Sequence, residues 1–128
     1  MKPLTKSKER VKALGEVFTP SALVNEMLDK LPQELFTDPT KTFIDPAAGN
    51  GNFLVEVIKR KIDGGSTPIQ ALSTTYGVDI MEDNVAECRA RLLDVVGLTT
   101  NDSKALVESR IKCADTLTTD LAELFGEQ

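Results

Sequence analysis

The sequence predicts an α/β fold: half of a doubly wound, Rossmann-like sheet, with three parallel strands, flanking helices and an N-terminal helical segment. Three observations lead there. Short β-branched or aromatic segments recur at Thr42-Phe43-Ile44, Thr75-Tyr76-Gly77-Val78-Asp79 and Arg110-Ile111-Lys112-Cys113. Between them lie stretches with apolar residues at helical spacing. The first strand also runs straight into Asp45-Pro46-Ala47-Ala48-Gly49-Asn50-Gly51, a glycine-bearing turn of the kind that joins strand to helix in such sheets. Strands alternating with helices imply parallel β-α-β units, and three strands make one mononucleotide-binding half in spatial order 3-2-1.

Each element has its own local reason. Residues 21–31 form a helix with Val24, Met27, Leu28 and Leu31 on one face, started by Thr19 as cap and Pro20 in the first turn. Pro32 and Pro39 bracket a connection to the first strand, which the residue types mark as buried. Leu54, Val57, Ile58 and Ile62 give the next helix its apolar stripe, and Gly64-Gly65 ends it. A short helix over 66–74, with Pro68 in its first turn, leads to the second strand. The helix over 83–96 carries Val85, Cys88, Leu92 and Val95 and stops at Gly97. A small helix around 104–108 precedes the third strand. Leu117, Leu121, Leu124 and Phe125 mark a last helix, capped near Thr119 or Asp120.

Composition narrows the chemistry. The 128 residues contain no histidine, which removes Ser–His and Cys–His nucleophile systems and most zinc sites. No run approaches 18 apolar residues, and the first residues lack a secretory apolar core, so neither a membrane span nor an export signal is expected. Cys88 and Cys113 show no CxxC spacing and read as small buried apolar residues of a reduced, cytoplasmic protein. Net charge is −5, which disfavours unaided grip on nucleic acid. Residues 1–14 are the exception: Lys2, Lys6, Lys8, Arg10 and Lys12 against Glu9 leave this N-terminal segment at +4, and the rest of the chain at −9. The domain proper is expected over 15–128.

The most informative stretch is residues 45–54. Gly49 and Gly51 let the backbone turn tightly and approach a ligand, and the helix opening at Asn52 offers free N–H groups to a carboxylate or phosphate. Asp45, at the strand end, is placed to meet a cation. A ligand with both an ammonium and a carboxylate suits this pairing, although a plain turn explains a lone G-x-G equally well. A dinucleotide fingerprint would need glycine where Leu54 stands, and no G-K-[ST] of a phosphate loop occurs. Asp79, 28 residues after Gly51, can accept both hydroxyls of a ribose, or cap the helix that follows.

These residues resemble a family. Asp45 through Leu54 are similar to motif I of the adenine-N6 DNA methyltransferases, D-P-A-x-G-x-G-x-F-L. Gly15-Glu16-Val17-Phe18-Thr19-Pro20 resembles their motif X, Gly77-Val78-Asp79-Ile80 their motif II, and Ala114-Asp115-Thr116-Leu117 their motif III. The order is that of the gamma group, which includes modification subunits of restriction systems. The resemblance implies S-adenosylmethionine as cofactor. Asp45, Ala47 and Gly49 to Gly51 would surround its methionine part, with Thr19 offering a hydroxyl to the carboxylate. Asp79 would bind the ribose, Ile80 would cover the adenine, and Asp115 would accept from the adenine amine. Phe18 and Phe53 would line the pocket or fill the core; Tyr76 reads as core.

The sequence also departs from the family. Methyl transfer to adenine there uses a [DNS]-P-P-[YFW] motif that holds the amine and stacks on the flipped base. No Pro-Pro dipeptide occurs in these 128 residues, so no catalytic residue is assigned. The expected function is the cofactor-binding portion of an adenine-specific DNA methyltransferase, incomplete without a second polypeptide or a C-terminal half. The alternative is a non-catalytic decoy that binds the cofactor and docks on a modification or restriction enzyme. Either reading calls for a protein partner, a homo-oligomer or a complementary subunit, with DNA reached only through it. Half a sheet leaves an open edge for such a partner to cover.

Overall fold

The computed structural model describes residues 19–126. The basic segment and Gly15 to Phe18 of the motif X resemblance lie outside them. The described chain runs α1 (Ser21–Leu28), α2 (Glu34–Thr37), β1 (Phe43–Asp45), α3 (Asn52–Asp63), α4 (Pro68–Ser73), β2 (Thr75–Asp79), α5 (Glu82–Val96), α6 (Asn101–Arg110), β3 (Ile111–Cys113) and α7 (Leu121–Leu124). The three strands form one parallel sheet with β2 in the middle, the expected order. Phe43, Ile44 and Asp45 sit opposite Thr75, Tyr76 and Gly77, and Gly77, Val78 and Asp79 opposite Ile111, Lys112 and Cys113.

The core lies on the sheet face covered by α3 and α5. Leu54, Ile58, Leu72, Cys88 and Leu92 are wholly buried there, with Ile111 almost so. Burying such side chains contributes about 1.5–3 kcal/mol each. A second cluster of Val24, Leu28, Phe36 and Val57 fastens α1 and α2 to the outer side of α3. On the opposite sheet face, Phe125 at the end of α7 meets Tyr76 edge-on with ring centroids 5.0 Å apart. The Arg110 guanidinium lies over the Tyr76 ring, 5.2 Å from its centroid.

Local chemistry explains most boundaries. Thr67 and Gln70 form a reciprocal capping box around the start of α4. Thr100 accepts from the Ser103 N–H and starts α6 at Asn101, three residues earlier than expected. Gly97 ends α5 in the left-handed region.

Several expectations are corrected. Helix α1 stops at Leu28, because Pro32 excludes helical backbone just before it and the Gln33 amide takes the Leu28 and Leu31 carbonyls instead. Pro20, not Thr19, occupies the cap position, and no side chain caps this helix. Met27 faces solvent. The connection before β1 contains α2, which has too few residues for periodicity to register but buries Phe36. Strand β1 is less buried than its residue types indicate: Ile44 is 43% exposed. Cys113 is exposed, at the open end of β3, whereas Cys88 is buried as expected. Leu117 belongs to a loop, not to a helix face.

Candidate functional site

The carboxyl ends of the three strands converge on one cleft of about 480 Å³, within the usual size range of small-molecule sites. Its walls are Asp45 to Gly49 with Asn50, Asn52 and Phe53, the β2 end Asp79-Ile80-Met81, the β3 end Ala114 to Leu117, and Thr19. The parallel register places these ends side by side, as open α/β sheets place their ligand sites.

The loop after β1 is held from several sides. Ala47 N–H donates to the Asp45 carboxylate at 3.0 Å, and Ala48 N–H to the Val78 carbonyl at 2.8 Å. Gly49 N–H reaches Asp79 Oδ1 at 3.0 Å. Arg91, from α5, donates through Nη1 to the Asn50 carbonyl and to Asn52 Oδ1, at 3.1 and 2.6 Å. No side chain caps α3, whose first turn opens on this loop.

Asp79 does more than end a strand. Besides Gly49 N–H, its carboxylate accepts from Met81 N–H at 3.1 Å and from Asn84 Nδ2 at 2.9 Å. It therefore joins the first loop to the second while still lining the cleft. It does not cap α5, whose cap position is Met81. Asp115 organises the third loop by accepting the Leu117 N–H at 2.9 Å. Ile80 and Leu117, 51% and 92% exposed, spread apolar surface at the rim.

The electrostatics of the cleft are one-sided. Three carboxylates, Asp45, Asp79 and Asp115, line it, and no lysine or arginine does among the described residues. Burial raises the Asp45 carboxyl above the ordinary carboxylate range. The Ala47 hydrogen bond opposes that rise, and the neighbouring Asp79 charge adds to it. Such a site favours a cation beside Asp45.

The structure gathers most of the residues singled out from sequence. Thr19, Asp45, Ala47, Gly49, Phe53, Asp79, Ile80 and Asp115 all line the cleft; Phe18 lies outside the described residues. Gly51 does not line it. Its φ is +95°, and an added Cβ would come within 2.8 Å of Cys88 Sγ, so its missing side chain makes room for α5 rather than for a ligand. Sequence reasoning missed the parts that Asn52 and Arg91 play in holding the loop. Nothing in their spacing signals the role, because Arg91 meets the loop only through tertiary packing.

Comparison with known proteins agrees with this geometry. A family model described as N-6 DNA Methylase matches residues 4–127. The type II methyltransferase M.VspI of Vibrio sp. (strain 343) is 34% identical over 84 residues, 66% of this chain and 18% of that protein. The chain thus matches less than a fifth of this relative's length. With motif I on a strand-to-helix loop, motifs II and III beside it, and the family model spanning nearly all its residues, the chain belongs to the N-6 DNA methylase family.

Proposed function

We propose that the chain binds S-adenosylmethionine in this cleft and serves as the cofactor-binding portion of an adenine-N6 DNA methyltransferase. The observation that carries the reading is the charge of the lining: three carboxylates and no basic side chain among the described residues. A dinucleotide or nucleoside triphosphate would bring phosphates against those carboxylates. S-adenosylmethionine brings an ammonium and a sulfonium instead. Its carboxylate has a counterpart in the uncapped first turn of α3. Asp45 suits the ammonium, Asp79 a ribose hydroxyl with the lone pair that its three N–H partners leave on Oδ1, and Asp115 the adenine amine. Ile80, Phe53 and Leu117 offer apolar surface to the base.

When bound, the cofactor supplies an activated methyl group. The residues of this chain hold and orient it, and the groups that would hold the adenine acceptor are absent from the 128 residues, which contain no Pro-Pro dipeptide. The reading therefore includes a further polypeptide segment that carries them and contacts DNA. The net charge of −5 supports leaving DNA contact to that segment. The exposed Ile44 beside the outer edge of β1 gives it a place to pack.

Isothermal titration calorimetry is the test. S-adenosylmethionine is expected to bind in the micromolar range, about −8 kcal/mol, and Asp79→Ala to weaken it at least tenfold, a loss typical of hydrogen bonds to a charged group. The dinucleotide NAD is expected to give no heat. Absence of binding, or NAD binding of equal strength, rejects the reading. The purified chain alone is expected to transfer no labelled methyl to DNA, and clear turnover would refute the division of labour.

A further inference from the structure

Thr19 lies 33 residues before Asn52, yet both line the cleft, and one hydrogen bond joins them: Asn52 Nδ2 donates to the Thr19 carbonyl at 2.8 Å. The other end of the same amide is fixed by Arg91, whose Nη1 donates to Asn52 Oδ1 at 2.6 Å and to the Asn50 carbonyl at 3.1 Å. A guanidinium only donates, so it must face the amide oxygen, which leaves the NH₂ group as the only part of Asn52 that can meet Thr19. The orientation of the relay is thus dictated from α5. The Thr19 side chain does not cap α1.

We propose that Asn52, oriented by Arg91, is a positioning residue that holds Thr19 at the methionine end of the cleft and so tunes cofactor affinity. The inference rests on the cofactor reading above. Asn52 acts through Thr19, and Arg91 through Asn52.

A double-mutant cycle on the full chain tests it, read by calorimetry with S-adenosylmethionine and with neutral adenosine, which lacks the methionine end. Asn52→Leu and Thr19→Val are each expected to weaken S-adenosylmethionine about tenfold, the loss of roughly one hydrogen bond. The double variant is expected to lose the same tenfold, because the two residues act in series. Adenosine affinity is expected to stay within about twofold. Losses that multiply to about a hundredfold, or an Asn52→Leu variant with unchanged affinity, would overturn the proposal.

A second variant guards against misfolding. Asn52→Asp keeps the Arg91 contact as a charge-assisted bond and turns an oxygen toward the Thr19 carbonyl. It is expected to unfold at or above the wild-type midpoint, to bind adenosine normally and to lose S-adenosylmethionine affinity. Wild-type affinity for S-adenosylmethionine in this variant would sink the tether. If the wild type gives no heat, the cofactor reading fails on its own. Ligand-free amide exchange over 19–24 then decides the tether: faster exchange in Asn52→Leu supports it, and unchanged exchange refutes it.

Discussion

Gly51→Ala isolates how the loop after β1 is built. At φ +95° an L-residue pays a backbone cost of about 1–2 kcal/mol. The new Cβ would also stand 2.8 Å from Cys88 Sγ and 3.4 Å from Cys88 Cα, so α5 or the loop must shift. Overpacking of this kind typically costs about 1–3 kcal/mol. The sum, about 2–5 kcal/mol, is a large part of the roughly 5–15 kcal/mol that stabilises an ordinary domain. Gly97 supplies the control: it is also left-handed, at φ +69°, but a Cβ there meets nothing within 4 Å. Gly97→Ala is therefore expected to show the backbone cost alone. Urea unfolding of both variants, and of each with Cys88→Ala, separates the two costs. Gly51→Ala and Cys88→Ala are expected to couple favourably by about 1–2 kcal/mol, because removing Sγ relieves the clash. No coupling is expected between Gly97→Ala and Cys88→Ala. Equal destabilisation by the two glycine replacements, or zero coupling at Gly51, would refute the claim that this glycine exists to admit α5.

Three further outcomes follow from the same structure. Asp45 is raised chiefly by burial, so between its ordinary value of 3.8 and its raised one the folded chain holds a proton that the unfolded chain has lost; stability falls as pH rises through that window. Asp45→Asn is expected to be more stable than wild type at pH 7 by chemical denaturation, yet to bind S-adenosylmethionine at least tenfold more weakly, having lost a charged partner; unchanged affinity would remove Asp45 from the site. Lys61 is buried, with Nζ 2.7 Å from Thr74 Oγ1 and within 3.3 Å of the Thr74 and Lys41 carbonyls, and burial lowers it to about 8. From about pH 8 to 10.5 the unfolded chain binds the extra proton, so wild type is expected to gain stability relative to Lys61→Met across that range, by at most about 3 kcal/mol. Identical pH profiles would contradict this. Of the two cysteines, Cys113 is exposed and Cys88 is buried with its thiol pushed up to about 12; a thiol reagent at pH 8 is expected to titrate one equivalent quickly and the second only on unfolding.

How much of this could be read from residues alone depends on the range of the interaction involved. Strand β2 shows at its observed bounds in the sequence, because a β-branched and aromatic run between turn residues is a local signal. Helices α3 and α5 show in the same way, through apolar spacing and terminal glycines. The cleft residues Asp45, Gly49 and Asp79 are legible because they stand at or just after strand ends, and parallel β-α-β topology brings strand ends together whatever the packing details; Asp115 is legible only through the resemblance of residues 114–117 to motif III. Other features had no local signal. Helix α2 is one turn long and held by the burial of Phe36. The exposure of Ile44 and Cys113 depends on which sheet face receives a helix. The roles of Gly51 and Arg91 depend on where α5 comes to rest against the first loop, a contact between segments some 40 residues apart. Short-range chemistry thus set the alternation of elements, the loop that walls the cleft and the acids that line it. Packing between distant segments set which glycine lines the cleft and which makes room for a helix, and which residues hold the cleft in shape.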